Sequence, residues 1–258
     1  MSNRLEVFLR HALEKEGVCD WASAVDLYRG ASRFVMKPDD STKLAEVCER
    51  IGHCLLRSAF QVATGKNFRA KMKMAFETYN RAAHLYKKVE KQNESNHCIA
   101  MAFYIQSKLA SEPSEKKIRL NECSELWEHV MEAYGQCGDR LSYGKTCNDL
   151  LACILDVLDL EWDWKERRRI VEKGIGYPEK CIIALSYPED VNELVRVYSM
   201  ASLLCYYAED CYDLDEQKRV SIRKSLAYAE KAAELSKEIA DGYVIGFSNY
   251  AMAWATYS

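Results

Sequence analysis

The chain repeats itself about every fifty residues, and that register constrains its fold more than any other feature. A large apolar residue, then Gly or Ala, then a large apolar residue three positions on recurs five times. It reads Ile51-Gly52-x-x-Leu55, Met101-Ala102-x-x-Ile105, Leu151-Ala152-x-x-Leu155, Met200-Ala201-x-x-Leu204 and Tyr250-Ala251-x-x-Trp254. The small residues stand at 52, 102, 152, 201 and 251, so the spacings are 50, 50, 49 and 50. A second pattern, at i, i+4 and i+7, lies between these sites. It reads Ala24/Tyr28/Ala31, Ala75/Tyr79/Ala82, Cys123/Trp127/Val130, Tyr177/Cys181/Ala184 and Ser225/Ala229/Ala232. Both spacings are helical, and self-similarity at a fixed period signals a repeat architecture. Each period therefore holds two different helices, A and B.

On this register the A helices fall near 3–16, 41–64, 94–111, 139–160, 190–211 and 243–258, and the B helices near 20–36, 67–91, 114–136, 163–186 and 215–240. Asp20, Ser41, Ser114 and Asp190 suit the N-cap, where a side-chain oxygen accepts from an unpaired helix N–H. Pro38, Pro113 and Pro188 sit between helical stretches, where a missing N–H does least harm. Pro178, in Gly174-Ile-Gly176-Tyr-Pro178, is expected to kink or restart its helix.

Ala24-Val-Asp-Leu-Tyr28-Arg-Gly-Ala31, Ala75-Phe-Glu-Thr-Tyr79-Asn-Arg-Ala82 and Ala184-Leu-Ser-Tyr-Pro188, with the Gly/Ala sites of the A helices, resemble the tetratricopeptide repeat (TPR) family. The resemblance implies an all-α, right-handed α-solenoid of antiparallel helix pairs, with about eleven helices in one domain over 1–258. A small residue in helix A lets its neighbour approach, and an aromatic from helix B fills the space beside it. A standard repeat takes about 34 residues, so these helices are each about two turns longer. In that respect the chain is similar to long-helix members such as the attachment proteins that recruit the membrane-fusion ATPase. The last A helix has no B partner to cover Tyr250 and Trp254. Capping repeats present a polar outer face. The expectation is therefore that the chain is the N-terminal part of something longer, or that this helix docks on another surface, including a second copy.

The resemblance further implies a concave groove lined by A helices. Counting from the small residue, the second A helix offers Glu46, Glu49, Arg50, His53 and Arg57, and the third Asn96, Phe103, Gln106 and Ser107. The fourth offers Asp149 and Asp156, the fifth Tyr198, Ser202 and Tyr206, and the last Asn249. Mixed charge with aromatics suits a peptide or helix better than a phosphate backbone. Members that clamp a chaperone's C-terminal carboxylate use Lys, Arg and Asn at recurring groove positions. Here Arg50 and Arg57 share one helix and the next two supply neither Lys nor Arg, which disfavours that ligand.

Net charge is only −3, which argues for neither nucleic acid nor a membrane surface. Locally the charge separates. Residues 66–91 carry eight basic side chains against two acids, and Lys66, Arg69, Lys73, His84, Lys87 and Lys91 fall on one helical arc. Such a stripe is either a solvated face or a contact for an acidic protein, acidic lipid or phosphate. Residues 189–216 carry eight acids and only Arg196. Arg167, Arg168 and Arg169 follow Trp162 and Trp164, which reads as a helix start with buried Trp and exposed Arg.

Eleven cysteines without a C-x-x-C pair read as core thiols rather than a disulfide framework or zinc site. The pairs Cys48/Cys54, Cys147/Cys153 and Cys205/Cys211 are six apart, roughly 120° around a helix and too splayed for one metal. No P-loop, dinucleotide turn, nucleophile elbow or zincin motif occurs, and the five histidines lie on five different predicted helices. With no signal-peptide pattern at the N-terminus, the expectation is a cytoplasmic, non-enzymatic scaffold without cofactor that binds a partner peptide or helix. The alternatives are a regulatory or ligand-sensing module for an attached effector, or a membrane adaptor using the stripe.

Overall fold

The computed structural model describes residues 2–35, 40–62, 64–186 and 191–257. Twelve α-helices account for the architecture of these residues, and none of them lies in a strand. Two compact units divide the chain, Met1–Leu126 and Trp127–Ser258.

The first unit contains α1 (Ser2–Gly17), α2 (Trp21–Ser32), α3 (Ser41–Phe60), α4 (Gly65–Lys88) and α5 (Gln92–Leu109). α6 (Pro113–Cys137) contributes to both units. The second unit contains α7 (Arg140–Leu160), α8 (Trp164–Gly174), α9 (Tyr177–Leu185), α10 (Val191–Cys211), α11 (Asp215–Leu235) and α12 (Gly242–Tyr257). From α1 to α5 each helix packs on the next, and in the second unit α10 touches α7, α8, α9, α11 and α12. No helix among the described residues is long and apolar enough to cross a membrane.

Helix starts are set by chemistry visible in the sequence. The Asp20 carboxylate accepts from Ser23 N at 3.3 Å, as its N-cap position predicts. Asp139, Asp163 and Asp241 do the same for α7, α8 and α12, and the Thr64 hydroxyl does so for α4. Two expected caps move, the first by one position and the second by two. Ser41 is the first residue of α3 behind Asp40, and Ser114 lies inside the first turn of α6. The pyrrolidine of Pro113 is preset for the first helical position, so the first backbone acceptor is the Glu112 carbonyl, 3.0 Å from Lys116 N. Asp190, Pro38 and Pro188 lie outside the described residues.

The expected B helix over 163–186 is two helices, because Ile175-Gly176 interrupts it and Pro178 restarts it in the first turn of α9. This accounts for twelve helices where eleven were expected. α1, α4 and α6 end alike. The sixth residue's N–H reaches back five positions (Asp20 to Lys15, Lys91 to Tyr86, Asp139 to Tyr134) over a left-handed residue. Those residues are Cys19, Glu90 and Gly138, with φ of 58°, 59° and 76°.

The repeat register marks where helices approach. A Cβ built on Gly52 of α3 would meet the Tyr79 ring of α4 at 3.0 Å. Ala102, Ala201 and Ala251 are buried, whereas Ala152 and Tyr177 are only half-buried. Both exceptions belong to the repeat with the broken B helix. There the close approach passes to Gly144, where a Cβ would meet Leu185 at 2.8 Å and Ala184 at 3.0 Å.

At the same α7–α9 contact Cys147 and Cys181 pair as a disulfide, their Cα atoms 5.9 Å apart, inside the range such a bond takes. This corrects the reading of all eleven cysteines as thiols. The pairing joins different helices, so spacing along one helix does not reveal it. Of the other nine, all but Cys137 are buried.

Candidate interaction surface

In the first unit the polar face of α3 is turned to the protein's own helices. Arg50 donates from Nε to Glu16 at 3.0 Å and from Nη2 to the other carboxylate oxygen, and Nε lies 3.4 Å from the Tyr28 hydroxyl. Burial alone would lower the Arg50 pKa, but the Glu16 charge and Tyr28 more than offset it, and the guanidinium is held firmly protonated. Burial pushes the Tyr28 phenol and the Cys54 thiol up, and Cys54 Sγ points at Glu16 from 3.4 Å. The Tyr86 hydroxyl donates to Glu49 at 2.6 Å, and His97 Nε2 stands 3.8 Å from the same carboxylate. His53 meets the Trp21 ring edge-on at 5.7 Å, and the Arg57 guanidinium lies 5.4 Å from that ring's centre.

Arg57 is therefore buried instead of lining a groove; its cation is sheltered by Trp21. On α5, Asn96 accepts from Gln92 at 2.7 Å, and Phe103 lies 5.7 Å from the Arg119 guanidinium. Gln106 is half-buried and Ser107 is buried, its hydroxyl donating to the Tyr104 carbonyl.

The start of α10 in the second unit behaves similarly. Arg196 pairs with Glu193 at 2.8 Å and lies 3.6 Å from Asp149 of α7, while the wholly buried Asn148 donates to Glu193. Tyr198 packs on Tyr228 with ring centres 6.1 Å apart. Ser202 is buried, and the Ser225 hydroxyl of α11 donates to its carbonyl at 2.9 Å. Its small, satisfied hydroxyl helps α10 and α11 approach, so Ser202 too leaves the expected groove for the interior.

Toward their C-terminal ends α7, α10 and α12 present something different. Tyr206 of α10 stacks on Trp254 of α12 with centres 5.0 Å apart and planes tilted by 50°. Tyr250 meets Trp254 edge-on at 6.0 Å, and Tyr207 meets Tyr206 at 5.9 Å. The Tyr207 hydroxyl donates to Asp159 of α7, and the Arg167 guanidinium sits 5.2 Å from the Tyr207 ring centre. Tyr250 is 50% and Trp254 38% exposed. Burial raises the Tyr206 phenol first, and Asp210 and Glu209 raise it further. Asp156 is half-buried one turn before Asp159. α12 carries no charged residue, and Tyr243, Gly246, Tyr250, Ala253 and Trp254 form an exposed stripe along it. Asn249, from the same expected groove set, is exposed beside it.

Of the sequence-predicted groove residues, Tyr206 thus belongs to this aromatic end. Tyr207 and Asp159 were missed because counting from Ala201 and Ala152 assigns them no groove position. Their complementary pairing across neighbouring A helices was the available signal.

Trp162 and Trp164 reverse their expectation, being 92% and 51% exposed; Arg169 is exposed as expected, while Arg167 and Arg168 are half-buried. Arg167 Nη1 donates to the Leu158 and Glu161 carbonyls at 2.7 and 2.9 Å, satisfying the open end of α7. Arg168 bonds Glu172 and Asp213, and Arg169 bonds Glu166. Trp162 instead stands in the connection between α7 and α8.

On α4, Lys66, Arg69, Lys73, His84 and Lys87 are exposed, and Lys91 is half-buried at 3.5 Å from Glu94. Among the described residues no three His, Cys, Asp or Glu side chains group as metal ligands do.

No protein-family model matches the chain, and no curated protein matches it. Among solved structures, one titled "Computational Design of Self-Assembling Cyclic Protein Homooligomers" aligns at 10% identity, over 98% of this chain and 96% of that chain, with a TM-score of 0.22. So low a score carries no argument about fold or role.

Proposed function

We propose that this protein is an interaction scaffold, a right-handed α-solenoid of TPR-like helix pairs that holds a peptide or helix of a partner protein along its A helices. One observation carries the reading: Tyr206, Tyr250 and Trp254 form a contiguous, part-exposed aromatic surface on two neighbouring A helices. Contiguous exposed apolar surface marks interaction sites, and Tyr and Trp dominate binding energy where they are found. The fifty-residue register, with its Gly52–Tyr79 contact, supports the TPR-like part. Binding is favoured over catalysis by the state of the thiols. Cys54, Cys98 and Cys205 are buried and pushed up in pKa, which holds them protonated and weakly nucleophilic.

The test is selection of a displayed random peptide library on the wild-type protein and on a Tyr250→Ala/Trp254→Ala variant. Sequences enriched on the first and lost on the second are expected. Equal enrichment on both, or none on either, contradicts the reading.

A further inference from the structure

We infer that this aromatic surface takes a cationic, Lys/Arg-rich segment of a partner protein; the inference rests on the scaffold reading and names the chemistry of its ligand. Three independent features converge on a cation. Tyr206 and Trp254 are tilted by 50° with centres 5.0 Å apart, and Tyr250 closes on Trp254 at 74°. Rings set at such angles around one point offer several π faces to a single charged group. The same molecule already uses that chemistry one ring away, where Arg167 lies over Tyr207.

Charge is the second feature. Glu209 and Asp210 adjoin Tyr206 on α10, and Asp159 of α7 accepts from the neighbouring Tyr207. No Lys, Arg or His occurs in 146–160 of α7, in 197–211 of α10, or anywhere in α12. Arg167 and Arg168 are cations at this end, the first occupied by the Leu158 and Glu161 carbonyls and the second by Glu172 and Asp213. The second unit as a whole holds 15 Lys and Arg against 23 Asp and Glu, a net of −8. A field of that sign steers basic segments in and repels phosphate and acidic lipid.

The third feature is the backbone. α7 and α10 run side by side in the same direction, as the pairs Asn148–Glu193 and Tyr207–Asp159 show. Their carbonyl ends therefore come together; Arg167 already satisfies that of α7, which leaves the partial negative charge at the end of α10. Aromatic faces, carboxylates and helix C-termini all favour a guanidinium or ammonium, and none favours an anion.

The experiment is fluorescence anisotropy of a labelled dodecapeptide alternating Arg and Ser, beside its Arg→Gln analogue, in about 0.15 M salt. The Arg peptide is expected to bind at least about tenfold more tightly than the analogue. Trp254→Ala, and separately the conservative Glu209→Gln/Asp210→Asn, should each weaken it by about five- to tenfold, within the range of one cation–π contact. Glu230→Gln/Glu238→Gln, at the opposite end of the antiparallel α10–α11 pair, removes the same charge away from the rings and should leave binding within about twofold. Equal loss with both charge variants means bulk attraction and overturns the inference.

Two other outcomes overturn it while leaving the scaffold reading intact. One is equal binding of the Gln analogue that Trp254→Ala abolishes. The other is concentration-dependent self-association in sedimentation velocity that Lys73→Glu/Lys87→Glu prevents, which would make the occupant the basic stripe of a second copy. Absence of binding by the Arg peptide overturns the inference as well, and the library selection then decides the scaffold reading separately.

Discussion

The polar face of α3 and the aromatic end of α10 and α12 spend their side chains in opposite ways. On α3, Arg50, Glu49, His53 and Arg57 reach back to Glu16, Tyr28, Tyr86 and Trp21 and join α3 to its neighbours. On α10 and α12, Tyr206, Tyr250 and Trp254 touch one another, and Tyr250 and Trp254 keep part of their faces in solvent. The difference is also one of charge. Residues 1–126 hold 21 Lys and Arg against 16 Asp and Glu, a net of +5, where the second unit has −8. Only Tyr206 matches a position of the polar face of α3, that of Arg57, five after the small residue; Tyr250 and Trp254 stand where α3 has the buried Ile51 and Leu55.

The largest expected effect is on the bonded side. Arg50→Ala leaves the Glu16 carboxylate buried without its cation and should cost about 2–3 kcal/mol in urea unfolding, discounted because the Arg50 side chain is itself part-exposed. Arg50→Met with Glu16→Leu removes both charges and should recover most of that loss. A single-mutant cost as small as that of the double would break the comparison.

Next is Gly52→Ala. The added methyl meets the Tyr79 ring at 3.0 Å, and overpacking a rigid contact of that kind costs about 1–3 kcal/mol. If Gly52→Ala leaves the thermal midpoint unchanged, the register is not the packing device described above.

Alkaline pH probes the second unit's interior. Burial pushes the Cys205 thiol up to about 12, whereas in the unfolded chain it ionises near its ordinary value of about 8.5. The folded state thus holds a proton that the unfolded state releases. The stability this contributes is full below the unfolded pKa and is lost as pH rises toward the folded one. Each such group lowers stability by about 1.4 kcal/mol per pH unit in that window. Between pH 8 and 10 the urea midpoint should fall, and Cys205→Ala should make the fall shallower. The smallest effect belongs to the open surface: Trp254→Ala should shift stability by about 1 kcal/mol or less, because the ring is already part-solvated.

How much of this was legible in the sequence depended on where the chemistry sat. Helix starts fall within two residues of their expected places, because Asp caps and Pro113 signal them directly. Ends do not: α2, α3 and α11 stop four or five residues early. Two of the left-handed terminators are Cys19 and Glu90, where a glycine would have announced the turn. The Gly52–Tyr79 approach matches the packing of a small residue against an aromatic that the resemblance to TPR helix pairs implied. Arg57, Ser202 and the Trp162–Arg169 segment were not legible, since each depends on a partner from another helix. The aromatic end was half visible. Tyr250 and Trp254 stood out as uncovered, but their junction with Tyr206, Tyr207 and Asp159 needed the parallel course of α7 and α10.

The most direct measurement is hydrogen–deuterium exchange of the protein with and without a peptide selected on it. The account predicts new protection at 203–211 of α10 and 247–257 of α12, with 46–57 of α3 unchanged. Protection centred on α3, or none at the ends of α10 and α12, would contradict it.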